Sequence, residues 1–258
     1  MKALNNLNVR VTGNGKNALV LLHGFLFDKH VWGDFSEELA RHYTLVFFDM
    51  PGHGAAQPFS DGEGFEDFAH QVKQVMHELG IQTFAVLGHS MGGYAALALA
   101  KVYPQSITAL VLINSTALAD SVERKAQRLR TLSLIQNNAR RFYQSFIPTL
   151  FHIKDEEKIA HLIAQAANHD VEGIVRAVEV MRDRKDYSEA LNVTRIPILF
   201  YAGKFDGLIN KEHYTMIAAT LPHSKIVISD HSAHMSFIEE PEACAAAVKR
   251  FLELHLTH

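Results

Sequence analysis

The chain has 258 residues, 48% of them hydrophobic and 21% charged, with a formal net charge of −3. That length and apolar content suit one large α/β domain with a substantial core and room for an inserted subdomain. The near balance of charge argues against a nucleic-acid surface. The single cysteine, Cys244, excludes an intramolecular disulfide and fits a reducing compartment, and no apolar run approaches the ~18 residues of a membrane span.

The N-terminal Met1-Lys2-Ala3-Leu4-Asn5-Asn6 lacks the apolar stretch of a signal peptide, so a cytoplasmic location is expected. Asn8–Thr12 alternates like a strand, and Gly13-Asn14-Gly15 reads as a hairpin turn. Ala18–Leu22 is a short apolar run ending in His23-Gly24, and His30–Arg41 has helical character. Thr44–Phe48 reads as a second buried strand, ending at Asp49. Phe65, Phe68, Val72, Val75, Met76 and Leu79 form a helical stripe that Gly80 closes. Then come the apolar run Phe84-Ala85-Val86-Leu87, an Ala/Leu-rich helical stretch to Val102, and a strand at Ala109–Ile113. Near-continuous apolar strands separated by helices predict a mostly parallel sheet with helices on both faces.

From about Thr116 to Val193 only helical periodicities remain. Strand character returns at Pro197–Tyr201 and Ile226–Ser229, and Pro241 opens a last helix with Cys244, Val248 and Phe251 on its apolar side. The expected organisation is therefore a core domain from residues 1–116 and 194–258, interrupted by an all-helical cap at 117–193. A block inserted there is well placed to roof an active site.

The most informative stretch is Gly88-His89-Ser90-Met91-Gly92-Gly93. A bare Gly-x-Ser-x-Gly arises by chance in roughly one chain in ten of this length, so its context carries the argument. Strand, sharp turn and helix is the context of a nucleophile elbow, in which Gly88 and Gly92 remove Cβ atoms that would collide. A serine hydroxyl needs a base, and the base needs an orienting acid, in the chain order Ser, Asp/Glu, His. Ser90 is the nucleophile candidate. Asp206 sits just past a strand end, where α/β sheets place their chemistry. The equivalent place after the preceding strand reads Asn114-Ser115 and carries no carboxylate. The base is His231 or His234. The oxyanion hole should use the backbone N–H of Met91 and that of Phe25, with Gly24 allowing close backbone approach. The side chains of Phe25 and Met91 would then be free to line an acyl pocket. Sixteen histidines are many, but no His-Glu-x-x-His occurs, and the terminal His255 and His258 read as solvated. No metal or cofactor is required.

These residues together resemble the α/β-hydrolase superfamily over about residues 7–116 and 195–256. The resemblance rests on Leu22-His23-Gly24-Phe25, Asp49-Met50-Pro51-Gly52-His53-Gly54 and the elbow, and on Gly203-Lys204-Phe205-Asp206 and His234-Met235-Ser236-Phe237-Ile238-Glu239-Glu240-Pro241. The family places its histidine directly before an apolar-Phe-x-Glu-x-Pro segment, which selects His234 over His231. Two departures occur: Ala233 stands where the family has Gly, and Ala55-Ala56 replaces Arg-Ser. Serine rather than aspartate at position 90 argues against epoxide hydrolase and haloalkane dehalogenase relatives.

The resemblance implies a serine hydrolase, with cleavage of a small-molecule carboxylic ester as the leading expectation. Lactonase, thioesterase and C–C bond hydrolase activities share the same motifs. A short likeness at Asn8–Gly15 to hydrolase-fold signalling proteins keeps a ligand-binding alternative open. From Ser121 to Leu150 the cap carries Arg124, Lys125, Arg128, Arg130, Arg140 and Arg141 against only Glu123. This is either a solvated face or a dock for an anionic group. Phe142, Tyr143, Phe146 and Phe151 are expected in the core rather than in an acyl pocket.

Overall fold

The computed structural model describes residues 7–209 and 211–256. Met1–Asn6 and His258 lie outside the described residues. The strands are β1 (Arg10–Thr12), β2 (Ala18–Leu22), β3 (Thr44–Phe48), β4 (Phe84–His89), β5 (Ile107–Ile113), β6 (Ile198–Gly203) and β7 (Lys225–Ser229). They form one seven-stranded sheet in the order β1-β3-β2-β4-β5-β6-β7. β1 is antiparallel to β3, and every other pairing is parallel. The residues of β2, β4 and β6 are all buried, as a sheet covered on both faces requires.

Gly13-Asn14-Gly15 does not make a hairpin, because β1 pairs with β3 and not with β2. These glycines instead allow the chain to cross against the end of the next loop. A Cβ on Gly13 would lie 2.2 Å from the Tyr43 carbonyl oxygen, and one on Gly15 would lie 2.1 Å from that of His42.

Helices α1 (Gly33–Ala40) and α10 (Pro241–His255) pack together, as do α2 (Phe65–Glu78) and α3 (Met91–Val102), and the two pairs flank the sheet. Helix α1 is shorter than its sequence suggests, and α2 ends where Gly80 adopts φ +75°. Every residue of α3 from Met91 to Ala100 is buried, consistent with an Ala/Leu sequence that lacks a polar face. Cys244 is buried within α10.

Between β5 and β6 the chain forms only helices: α4 (Val122–Phe146), α5 (Glu156–Ala166), α6 (Val171–Asp183) and α7 (Ser188–Val193). Side-chain caps fix the starts of the first three. Ser121, Asp155 and Asp170 accept from the amides of Arg124, Lys158 and Gly173. Helix α4 breaks at Asn138 (φ −163°, ψ 87°), whose side chain accepts from Arg141 N and so re-caps the second half. Helix α8 (Lys211–Thr220) and the short α9 (Ser236–Glu239) complete the fold.

Candidate active site

Ser90 sits between β4 and α3 at φ 50°, ψ −112°, a strained backbone that its surroundings enforce. Its amide donates to Ile113 O at 3.0 Å, and its carbonyl accepts from Ser115 Oγ at 2.8 Å. A Cβ on Gly88 would lie 2.4 Å from Gly92 O, and one on Gly92 would lie 2.0 Å from Leu22 O. The turn is therefore pressed between two strands with backbone on both sides. The hydroxyl projects at the N-terminus of α3, where unpaired amides and the helix dipole favour negative charge.

His234 Nε2 lies 2.8 Å from Ser90 Oγ, and His234 Nδ1 lies 2.8 Å from Asp206 Oδ2. Three segments distant in sequence thus meet in one hydrogen-bonded series. His231 is exposed and uses its amide to reach Ser229 Oγ. Ala233 takes an ordinary negative φ, so nothing at that position requires glycine. Asp206 is buried and fully engaged. Its Oδ1 accepts from the amides of Leu208 (2.8 Å) and Ile209 (3.1 Å), and its Oδ2 accepts from Asn114 Nδ2 (2.9 Å). Burial would raise this carboxyl, but the neighbouring imidazole and these donors outweigh it and hold it below the usual carboxylate range.

Asn114 is the site residue that sequence reasoning misses, because in the sequence it marks only a place without a carboxylate. Buried at φ 47°, it donates to Asp206 and to Ala233 O, both at 2.9 Å, and so joins the acid to the histidine-bearing loop. The available signal was an Asn just past a strand end, a residue type that tolerates the left-handed region.

Met91 opens α3, so its N–H is one of that helix's unpaired donors. The Phe25 N–H has no acceptor among the described residues. The reason for Gly24 differs from the one expected. A Cβ there would meet His89 Nδ1 at 2.5 Å, so glycine makes room for that ring rather than for substrate. His89 Nε2 donates to His234 O at 2.9 Å, and burial pushes this imidazole down to about 3. His23 is held in one neutral tautomer: Nδ1 donates to Gly24 O, and Nε2 accepts from Met50 N, both at 2.8 Å.

A cavity of about 220 Å³ opens over Ser90 and His234. Phe25 and Phe27 form part of its wall, while the Met91 side chain is buried in the core and takes no part. Of the α4 aromatics expected in the core, Phe142 is a core residue that also borders the cavity, where it stacks on the half-buried Phe146 with centroids 5.2 Å apart. Tyr143 and Phe151 are core residues. The basic segment divides: Arg124 and Arg128 face the cavity, whereas Lys125, Arg130, Arg140 and Arg141 are exposed. His169, between α5 and α6, ties the helical segment to the site. Its Nε2 donates to Leu26 O at 3.1 Å, and its Nδ1 accepts from Gly54 N at 3.2 Å. Among the described residues no cluster of His, Cys, Asp and Glu is placed to hold a metal ion, and no helix is long and apolar enough to cross a membrane.

This sheet order, with a strained serine at the β4–α3 turn, defines an α/β hydrolase. A family model described as the alpha/beta hydrolase fold matches residues 17–241, and the chain belongs to that family. It is similar to pimeloyl-[acyl-carrier protein] methyl ester esterase of Salmonella newport, with 26% identity over 267 residues that cover 95% of this chain and 97% of that protein. Among solved structures it is similar to a thermophilic esterase from Thermogutta terrifontis, with a TM-score of 0.88 and 27% identity over 96% of this chain and 93% of that one. It also shares its fold with an enol-lactonase from Burkholderia xenovorans LB400, at a TM-score of 0.86 and 22% identity over 96% of each chain.

Proposed function

We propose that this chain is a serine esterase that cleaves a small carboxylic ester through an acyl-enzyme. The observation that carries this reading is the series Ser90 Oγ, His234 Nε2, His234 Nδ1, Asp206 Oδ2, with 2.8 Å at each step, opening into a cavity. Ser90 attacks the carbonyl as His234 removes its proton, and Asp206 orients the imidazole and stabilises the imidazolium. The amides of Met91 and Phe25 hold the tetrahedral oxyanion. The alcohol leaves with the His234 proton, and water then cleaves the acyl-enzyme by the same steps.

Residues 117–193 act as a roof over this chemistry, excluding water and setting specificity. The cavity, at about 220 Å³, is smaller than the ~300–1,000 Å³ of drug-sized pockets, which favours a small substrate. The esterase relatives support the choice of ester among the chemistries that the fold hosts.

The test is hydrolysis of 4-nitrophenyl esters, acetyl through decanoyl, by the wild type and Ser90→Ala. Steady turnover that the substitution reduces by at least ~10³-fold, in a protein that remains folded, is the expected result. Turnover retained by Ser90→Ala would overturn the reading.

A further inference from the structure

The cavity over Ser90 carries partly buried positive charge that the described residues do not fully balance. Arg124 and Arg128, one helical turn apart on α4, both line it, beside Gln127 and Tyr94. Arg184 lies behind them, its side chain 2% exposed and its guanidinium 3.9 Å above the Tyr94 ring. One carboxylate serves this group. Asp120, whose side chain is 3% exposed, pairs with Arg184 Nη1 and with Arg128 Nε. Arg124 has no carboxylate within ion-pair distance among the described residues, and its Nη1 donates to Gln127 Oε1 at 3.0 Å.

Three guanidiniums thus share one carboxylate, and the uncompensated one faces the cavity that holds Ser90. A partly buried cation without a counter-ion is unfavourable unless a ligand supplies the charge. Burial disfavours the Arg124 cation and the neighbouring Arg128 charge adds to the effect, while Tyr94 and the more distant Asp120 offset only part of it. Arginine does not escape by losing its proton, so the strain is relieved by an anion. Its planar fork matches a carboxylate in bidentate geometry. The remaining wall is apolar, with Phe142, Phe146 and Leu150 suited to a short methylene spacer.

We infer that the substrate is an ester carrying a second, ionised carboxylate, which Arg124 binds with support from Arg128 while the scissile carbonyl lies at Ser90. The position of the scissile group rests on the esterase reading, whereas the carboxylate subsite rests on the arginine geometry. Arg124 is the informative position to change, because Asp120 keeps both of its partners when Arg124 is replaced.

The experiment uses two pairs, each an acid against its methyl ester: monomethyl against dimethyl glutarate, with rates counted per ester group, and 4-acetoxybutanoate against its methyl ester, with only acetate release followed. A charge-assisted hydrogen bond in a partly desolvated site contributes about 1.5–3 kcal/mol, so a kcat/KM ratio of at least ~10 in favour of the acid is expected for one pair. Arg124→Gln should bring that ratio to about one or below, and Arg140→Gln, on the exposed surface, should retain it. Equal or inverted ratios for both pairs in the wild type, or a ratio unchanged by Arg124→Gln, would overturn the inference.

Thermal shift separates this failure from failure of the esterase reading. If neither pair and no 4-nitrophenyl ester is turned over above the Ser90→Ala level, the esterase reading fails; if the 4-nitrophenyl esters alone are turned over, it holds. The subsite then stands if the free acids raise the wild-type Tm and do not raise that of Arg124→Gln. It falls if the acids give no shift, or give equal shifts in the two proteins.

Discussion

Asn114 Nδ2 lies 2.9 Å from Asp206 Oδ2, the same oxygen that receives His234 Nδ1. The second Asn114 proton goes to Ala233 O, one residue before His234, so one side chain fixes both Asp206 and the loop that carries His234. Asn114→Ala removes both bonds and leaves a buried carboxylate with one donor fewer. Losing a hydrogen bond to a buried charged group costs about 1–3 kcal/mol, which predicts a fall in kcat of roughly 5- to 150-fold with little change in KM. Asn114→Asp should be worse at neutral pH, because a second carboxylate beside Asp206 raises one of the pair and competes for the imidazole. Steady-state kinetics on the best ester substrate check both variants. Wild-type kcat in Asn114→Ala would show that Asp206 needs no such support.

The glycines of the site sort by what surrounds them. Gly92→Ala would put a methyl 2.0 Å from Leu22 O, with backbone on both sides, and no side chain can move to relieve it. This variant is expected to accumulate as insoluble protein. Gly207 follows Asp206 directly, yet nothing lies within 4 Å of a Cβ there, so Gly207→Ala should retain solubility and keep its Tm within about 2 °C of the wild type. Comparing soluble yield and Tm for the two tests whether close backbone approach, rather than nearness to the site, decides the outcome.

The strands and the order of the site residues were legible because both depend on local pattern. Thr44–Phe48 and the start of the last helix at Pro241 were read to the residue, since an unbroken apolar run and a proline mark such elements directly. The pairing of β1 was misread because Gly13-Asn14-Gly15 is a valid hairpin signal locally. Which strand β1 joins is a long-range matter that only the packed Tyr43 loop decides. Which buried aromatics also border the cavity is a long-range matter for the same reason. Phe142 and Tyr143 are adjacent in sequence and both are buried, yet only Phe142 borders the cavity, and the break at Asn138 alters the helical face between them and the start of α4. Asn114 shows in the sequence only as an Asn just past a strand end, because its role exists only after β5, β6 and the loop after β7 converge.

Acid should unfold this protein through its neutral histidines. His23, His53, His89 and His169 are all depressed, chiefly by burial, with His23 at about 4 and His89 at about 3. His23 and His169 each accept as well as donate, so protonating either sets a new N–H against that of Met50 or Gly54. A group whose native value lies below its unfolded value binds fewer protons when folded. Stability is therefore retained above about pH 6.5 and falls as pH drops from there toward 4. His89 alone accounts for about 3 kcal/mol of this loss at pH 4. Denaturant midpoints measured between pH 7.5 and 4.5 should fall continuously, and His89→Gln should flatten the slope. A midpoint constant over that range would contradict the burial of these rings as neutral groups.

Asp120 shows how buried charge differs from exposed charge. It is the shared partner of Arg128 and Arg184, and Arg184 also donates to Met181 O and Leu118 O, so this pair locks the entry of α4 to the end of α6. Asp120→Asn leaves two guanidiniums in a poorly solvated place with no counter-ion. Breaking one side of a buried ion pair typically costs about 3–5 kcal/mol, which for a protein of this size corresponds to a Tm lower by roughly 6–20 °C. Arg182 and Asp183 also pair closely, at 2.6 Å, but with side chains 26% and 60% exposed. Solvent already screens both, so Asp183→Asn should shift Tm by no more than about 2–4 °C. Calorimetry on the two variants decides between the readings. Equal shifts would mean that the cavity arginines are as well solvated as the surface pair, and the case for an anion drawn to Arg124 would lose its physical basis.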